Sequence, residues 1–211
     1  MDGLPLEPLA LSTSDGLSLE AELVTTGDDR PVAAAVICHP HPLYGGSMHN
    51  NVVHRLLSDL AARGVPALRF NFRGAGRSEG SHGGGRDEVA DVVAAIDGVA
   101  ARCPGVPVVV AGYSFGADVS LSVDDERIGG WLAVSPPLRI VDPADMAAAA
   151  DPRPKIIVSG TEDDFRPADA AAGIVAGWAN AEVRAAPGVD HFWMTGLDLL
   201  DPAAGALLER L

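Results

Sequence analysis

The stretch Val106-Pro107-Val108-Val109-Val110-Ala111-Gly112-Tyr113-Ser114-Phe115-Gly116-Ala117-Asp118-Val119-Ser120-Leu121 decides the fold. Its first half is a run of β-branched and small apolar residues, as expected for a strand buried on both faces of a parallel sheet. Its second half opens with small residues that suit a tight turn into a helix. Ser114 falls between the two with a glycine two residues to either side. That spacing marks a sharp strand-to-helix turn with no room for side chains at the glycine positions and a serine hydroxyl projecting from the sheet. Gly76-Arg77-Ser78-Glu79-Gly80 fits the same string. Ser78, however, lies in the glycine-rich stretch from Gly74 to Gly85, with no strand leading directly in and no helix leading directly out. It reads as a loop residue.

Outward from that centre, apolar runs alternate with helical patterns, the arrangement of an α/β protein. Strands are expected over residues 7–13 and 17–25, joined by Ser14-Asp15-Gly16, whose Asp-Gly pair supplies the positive φ of a tight hairpin. Further strands are expected over 32–38, 65–72, 106–112, 130–135, 155–159 and 181–186. Helical periodicity runs over 48–63, stopped by Gly64, and over 86–101. A short helix starts at Phe115, another follows Pro167, which suits a first helical turn, and a terminal one starts at Gly196.

The 211 residues suffice for one domain, 1–211, burying roughly 70% of the unfolded chain's surface. Apolar residues at 47% and charged residues at 21% exclude extensive disorder. Fifteen Lys plus Arg stand against 29 Asp plus Glu, a net charge of −14, which disfavours nucleic acid and anionic membrane surfaces as partners. No leader-like apolar segment and no run near the roughly 18 apolar residues of a membrane span is present. The two cysteines, Cys38 and Cys103, make no disulfide framework and no Cys-x-x-Cys pair, so a reducing cytoplasm is expected.

A serine hydroxyl is a weak nucleophile and needs a base that is itself oriented by a carboxylate. In sheets of this kind the acid and then the histidine follow the serine along the chain. His191 is the one histidine after Ser114 and follows an expected strand. The acid is sought just past Ile156-Ile157-Val158-Ser159-Gly160, at the carboxyl end of a buried strand, where open α/β sheets keep their sites. Asp163 is chosen there, with Glu162 and Asp164 as rivals and Asp190 disfavoured as the direct neighbour of His191.

An oxyanion needs two aimed N–H donors. One is expected from Phe115, the residue after the serine, and the second from the loop His39-Pro40-His41-Pro42-Leu43-Tyr44-Gly45-Gly46. Prolines 40 and 42 have no N–H, which leaves His41, the choice, or Leu43. His82-Gly83-Gly84-Gly85 looks like an oxyanion string but follows the fourth strand, and is expected to be a flexible loop. No metal is expected: His49 and His54 are five apart, off a shared helical face, and no acidic ligand lies among the early histidines. Cys38, at the end of a buried strand, is expected to act as a small hydrophobe.

Taken together, Cys38-His39-Pro40-His41-Pro42 through Gly45-Gly46-Ser47-Met48-His49-Asn50, Leu68-Arg69-Phe70-Asn71-Phe72-Arg73-Gly74, and Ala111-Gly112-Tyr113-Ser114-Phe115-Gly116-Ala117 resemble the small lidless α/β-hydrolases of bacteria, carboxylesterase-like or dienelactone-hydrolase-like, from about Leu6 onward. The resemblance implies a mostly parallel, twisted eight-stranded sheet with its first strands antiparallel and helices on both faces. It also implies a triad of Ser114, Asp163 and His191 that cleaves small carboxylic esters through an acyl-enzyme, without cofactor. Serine at the turn speaks against a cysteine-dependent dienelactone hydrolase. Larger relatives carry a cap after the sixth strand; here residues 136–154 leave room for at most a small helix around 145–150, so the mouth is expected to be open. Amide, peptide and thioester cleavage by the same triad, and ligand binding without turnover, are the alternatives.

Overall fold

The computed structural model describes residues 5–27 and 30–211. Eight strands form one sheet in the order β1-β2-β4-β3-β5-β6-β7-β8. Strands β1 (Leu6–Ser12) and β2 (Ser18–Val24) form the expected hairpin, closed at Gly16 with φ +89°. β2 runs antiparallel to β4 (Ala67–Phe70), while β3 (Ala34–Cys38), β5 (Val108–Tyr113), β6 (Ile128–Val134), β7 (Lys155–Gly160) and β8 (Ala181–Ala186) continue the sheet in parallel from β4. This is the α/β-hydrolase architecture.

The two-residue period of the strands separates two cores. Val108 and Val110 of β5 face the layer of α2 (Glu88–Ala100), α3 (Phe115–Leu121) and α4 (Ala168–Val175). Val109, Ala111 and Tyr113 face α1 (Asn51–Ala62) and α5 (Leu200–Leu208). Strands covered on both faces explain why β3 and β5 read as unbroken apolar runs rather than alternations, while β4 is interrupted by Arg69, which pairs with Glu22 of β2.

Several boundaries differ from expectation for local reasons. α1 begins at Asn51 rather than 48, because the Asn50 side chain caps it by accepting from the Val52 N–H, while the Met48 N–H is drawn to Asn71. β4 ends at Phe70 because the Phe72 N–H goes to the His39 ring. Pro167 is the cap of α4, just outside its first turn, and Gly196 caps a short 3-10 turn that precedes α5. The small helix expected around 145–150 is two 3-10 turns, Pro143–Asp145 and Ala147–Ala149. They are all the helical structure between β6 and β7, so no cap covers the carboxyl edge of the sheet. No helix among the described residues is long and apolar enough to cross a membrane.

Candidate active site

Ser114 connects β5 to α3 with φ 53° and ψ −120°, a conformation that costs a non-glycine residue energy and is held by its surroundings. Those surroundings require both glycines. A Cβ on Gly112 would lie 2.4 Å from the Gly116 carbonyl oxygen, and one on Gly116 would lie 2.5 Å from the carbonyl oxygens of Cys38 and His39. The turn is thus wedged between its own helix and the end of β3.

His191, in the loop after β8, places Nε2 2.9 Å from Ser114 Oγ. Its Nδ1 lies 2.9 and 3.0 Å from the two carboxylate oxygens of Asp163, in the loop after β7. An ionised carboxylate only accepts, so Nδ1 carries the proton and Nε2 is left to accept from the serine. Burial pushes the Asp163 carboxyl up, but His191, the Arg166 N–H and Ser135 outweigh it and hold it below the ordinary carboxylate value. The imidazole is further fixed by Tyr113, whose hydroxyl donates to the His191 carbonyl at 2.7 Å, and by the Phe165 ring 4.3 Å from its centroid. Ser135 accepts from the Trp193 indole N–H at 3.0 Å.

The rival residues are placed elsewhere. Glu162 and Asp164 are exposed, and Asp190 accepts from the N–H groups of Phe192 and Trp193. Ser78 is as buried as Ser114, 9% exposed in each case, so burial does not discriminate between them. Its partners do: Ser78 Oγ donates to the Asn71 carbonyl at 2.6 Å and accepts from the Glu20 N–H at 3.0 Å, tying the loop to β2.

The Leu43 N–H is taken by the His41 ring, and His41 lines the cleft together with Phe115, first residue of α3. Neither the His41 nor the Phe115 N–H donates to another group among the described residues. His39 anchors the loop: its Nδ1 lies 2.6 Å from the Pro40 carbonyl and its Nε2 accepts from the Phe72 N–H at 3.0 Å. His82-Gly83-Gly84-Gly85, expected to be flexible, is instead pinned, because the N–H groups of Gly83 and Gly85 donate to the buried Glu88 carboxylate at 2.8 and 2.7 Å. The His82 ring packs 4.6 Å from that of His41. Cys38 is buried, which pushes its thiol up and keeps it un-ionised. No three His, Cys, Asp or Glu side chains among the described residues are grouped to hold a metal ion.

Around Ser114 lies a cleft of about 630 Å³, walled by His41, Phe115, Ile140, Phe165 and Phe192. Tyr44 and Phe192 stand exposed at its mouth. Tyr113, Ser135 and Trp193 carry no sequence signal for their parts, since each acts through a partner distant along the chain. Asp118, fully buried, had one: it is the single charged residue of α3, one turn past Ser114.

Comparisons with known proteins agree with this architecture. The family model described as serine aminopeptidase, S33, matches residues 29–169. An uncharacterized protein of Rickettsia prowazekii is 34% identical over 178 residues, covering 80% of this chain and 74% of that protein. An α/β serine hydrolase homologue from Coxiella burnetii is 29% identical with a TM-score of 0.84, covering 97% of both chains. A serine hydrolase described as without lid, from Xanthomonas campestris, is 27% identical with a TM-score of 0.85, covering 100% of this chain and 96% of that one. The chain belongs to this family of α/β serine hydrolases.

Proposed function

We propose that the protein hydrolyses small carboxylic esters, with Ser114 as nucleophile, His191 as base and acid, and Asp163 as the group that orients the imidazole. The observation that carries the proposal is the continuous hydrogen-bonded line from Ser114 Oγ through His191 to Asp163, with contacts of 2.9 to 3.0 Å. As Oγ attacks the carbonyl carbon, its proton passes to His191 Nε2 and the carbonyl π pair moves to oxygen. The N–H groups of His41 and Phe115 receive that oxyanion. Collapse of the intermediate breaks the bond to the alcohol oxygen, which leaves with the proton from Nε2. Water then attacks the acyl-enzyme, giving its proton to Nε2, and the acid departs as Oγ regains that proton. None of these steps requires a metal or cofactor. The open, apolar, aromatic-rimmed cleft suits small or aryl esters better than long chains that need enclosure. A cytoplasmic location, expected from the unpaired cysteines, belongs to the same reading.

The family description raises aminopeptidase action as a second reading. Binding a free α-ammonium group calls for a carboxylate in the pocket, and the cleft is lined by neither Asp nor Glu among the described residues. Ester cleavage is therefore favoured. Turnover of 4-nitrophenyl acetate and butyrate by the wild type and by Ser114→Ala, beside matched anilides and thioesters, tests this. Loss of ester turnover by about 10⁴-fold or more in Ser114→Ala is expected. Undiminished turnover in that variant overturns the assignment, and a preference for the anilide favours the second reading.

A further inference from the structure

Among the described residues, the cleft beside Ser114 contains one permanently charged side chain, the cation Arg139. Its backbone is held from several sides. The carboxylate of Asp118, buried in α3, accepts the N–H groups of Leu138, Arg139 and Ile140 at 2.9, 3.0 and 3.0 Å. Arg166 Nε donates to the Pro137 carbonyl at 3.1 Å, and the Ser135 N–H donates to the Val158 carbonyl at 2.7 Å. The strap 135–140 is thus fastened to the helix that begins at the nucleophile. Its Arg139 guanidinium lies 5.5 Å from the centroid of Phe165, the ring that packs on His191.

Arg139, like Arg86 and Arg166, lacks a carboxylate partner among the described residues, and of these three it alone lines the cleft. In a chain of net charge −14, most arginines have a carboxylate within hydrogen-bond distance, as Arg55, Arg63, Arg73, Arg127 and Arg153 do. Arg139 has no carboxylate partner among the described residues, although it is exposed and could accept one at little cost. A guanidinium resting on an aromatic face keeps its N–H edge free, and that edge matches a carboxylate in two parallel hydrogen bonds.

We propose that Arg139 receives a carboxylate borne by the substrate, so that the preferred esters carry one negative charge a few atoms from the scissile carbonyl. The inference rests on the ester-hydrolase reading above and narrows its substrate class. The strap fixes where the cation stands, and the apolar walls accommodate the segment between carboxylate and ester. The charge is a single one, since the protein's overall negative field opposes polyanions.

Two matched substrate pairs test it at physiological ionic strength. Mono-4-nitrophenyl adipate against 4-nitrophenyl hexanoate places the charge on the acyl side. 4-Butyryloxybenzoate against 4-butyryloxybenzamide places it on the leaving group. In at least one pair the wild type is expected to favour the anionic ester in kcat/KM, and Arg139→Gln to lower that anionic-to-neutral ratio about tenfold. Arg139→Lys should lower it less. Arg102→Gln, which removes the same charge from an exposed pair with Glu7, should leave the ratio alone. An unchanged ratio in Arg139→Gln for both pairs, or an equal fall in Arg102→Gln, overturns the inference while Ser114-dependent turnover of the neutral esters leaves the hydrolase reading standing. Absence of Ser114-dependent turnover on all four esters removes both.

Discussion

At the scale of single residues, the site depends on side chains whose hydrogen-bonding capacity is fully committed. His39 is the sharpest case. With Nδ1–H on the Pro40 carbonyl and Nε2 accepting from Phe72, no lone pair remains for a second proton without breaking the bond that ties the loop carrying His41 to the residues just past β4. Burial accordingly holds its pKa down, to about 4 from an ordinary 6.5, despite the Pro40 carbonyl that favours the charged form. The unfolded chain takes up that proton near 6.5 and the folded one only near 4, so between these values the unfolded state binds more protons and stability rises with pH. The contribution is complete above about 6.5 and is lost as the pH falls towards 4. Denaturant unfolding at pH 5 and pH 7 checks this. The wild type should lose about 2 kcal/mol more on acidification than His39→Gln, and identical losses would refute the assignment.

At the scale of elements, the elbow works because three pieces of backbone meet without side chains between them. A methyl group on Gly116 would drive into two carbonyl oxygens at the end of β3, neither able to swing aside as a flexible side chain could. Gly116→Ala should therefore cost about 1–3 kcal/mol of unfolding free energy or more, and displace the loop carrying His41. Gly173 provides the control, since a Cβ there, inside α4, meets nothing within 4 Å. Gly173→Ala should stabilise by roughly 0.5–1 kcal/mol through helix propensity. Equal effects of the two substitutions in thermal or denaturant unfolding would contradict the close packing described for the elbow. The strap 135–140 is the counterpart device on the other side of the cleft, fastened by one buried carboxylate rather than by glycines.

At the scale of the whole molecule, an uncapped sheet edge with an apolar mouth on a strongly acidic body defines the environment of the chemistry. The sheet was legible from sequence because strands buried on both faces concentrate β-branched residues, and Ser114 was separable from Ser78 because only one of the two follows such a run. His191 was nearly forced by scarcity. Asp163 was less so: three successive acids follow β7, and the backbone turn that brings Phe165 and Arg166 N–H groups onto Asp163 is invisible in composition. Tyr113, Ser135 and Trp193 escaped notice because their partners lie at distant chain positions, and helix starts were misplaced where a side chain such as Asn50 captured an N–H. The account as a whole turns on whether the Ser114 hydroxyl is activated by His191. Labelling with a fluorophosphonate, followed by peptide mass spectrometry of the wild type and His191→Ala, measures that directly. Stoichiometric modification at Ser114 in the wild type and its near-complete loss in His191→Ala are the predicted results. No modification of Ser114, or the same rate in both proteins, would contradict the account.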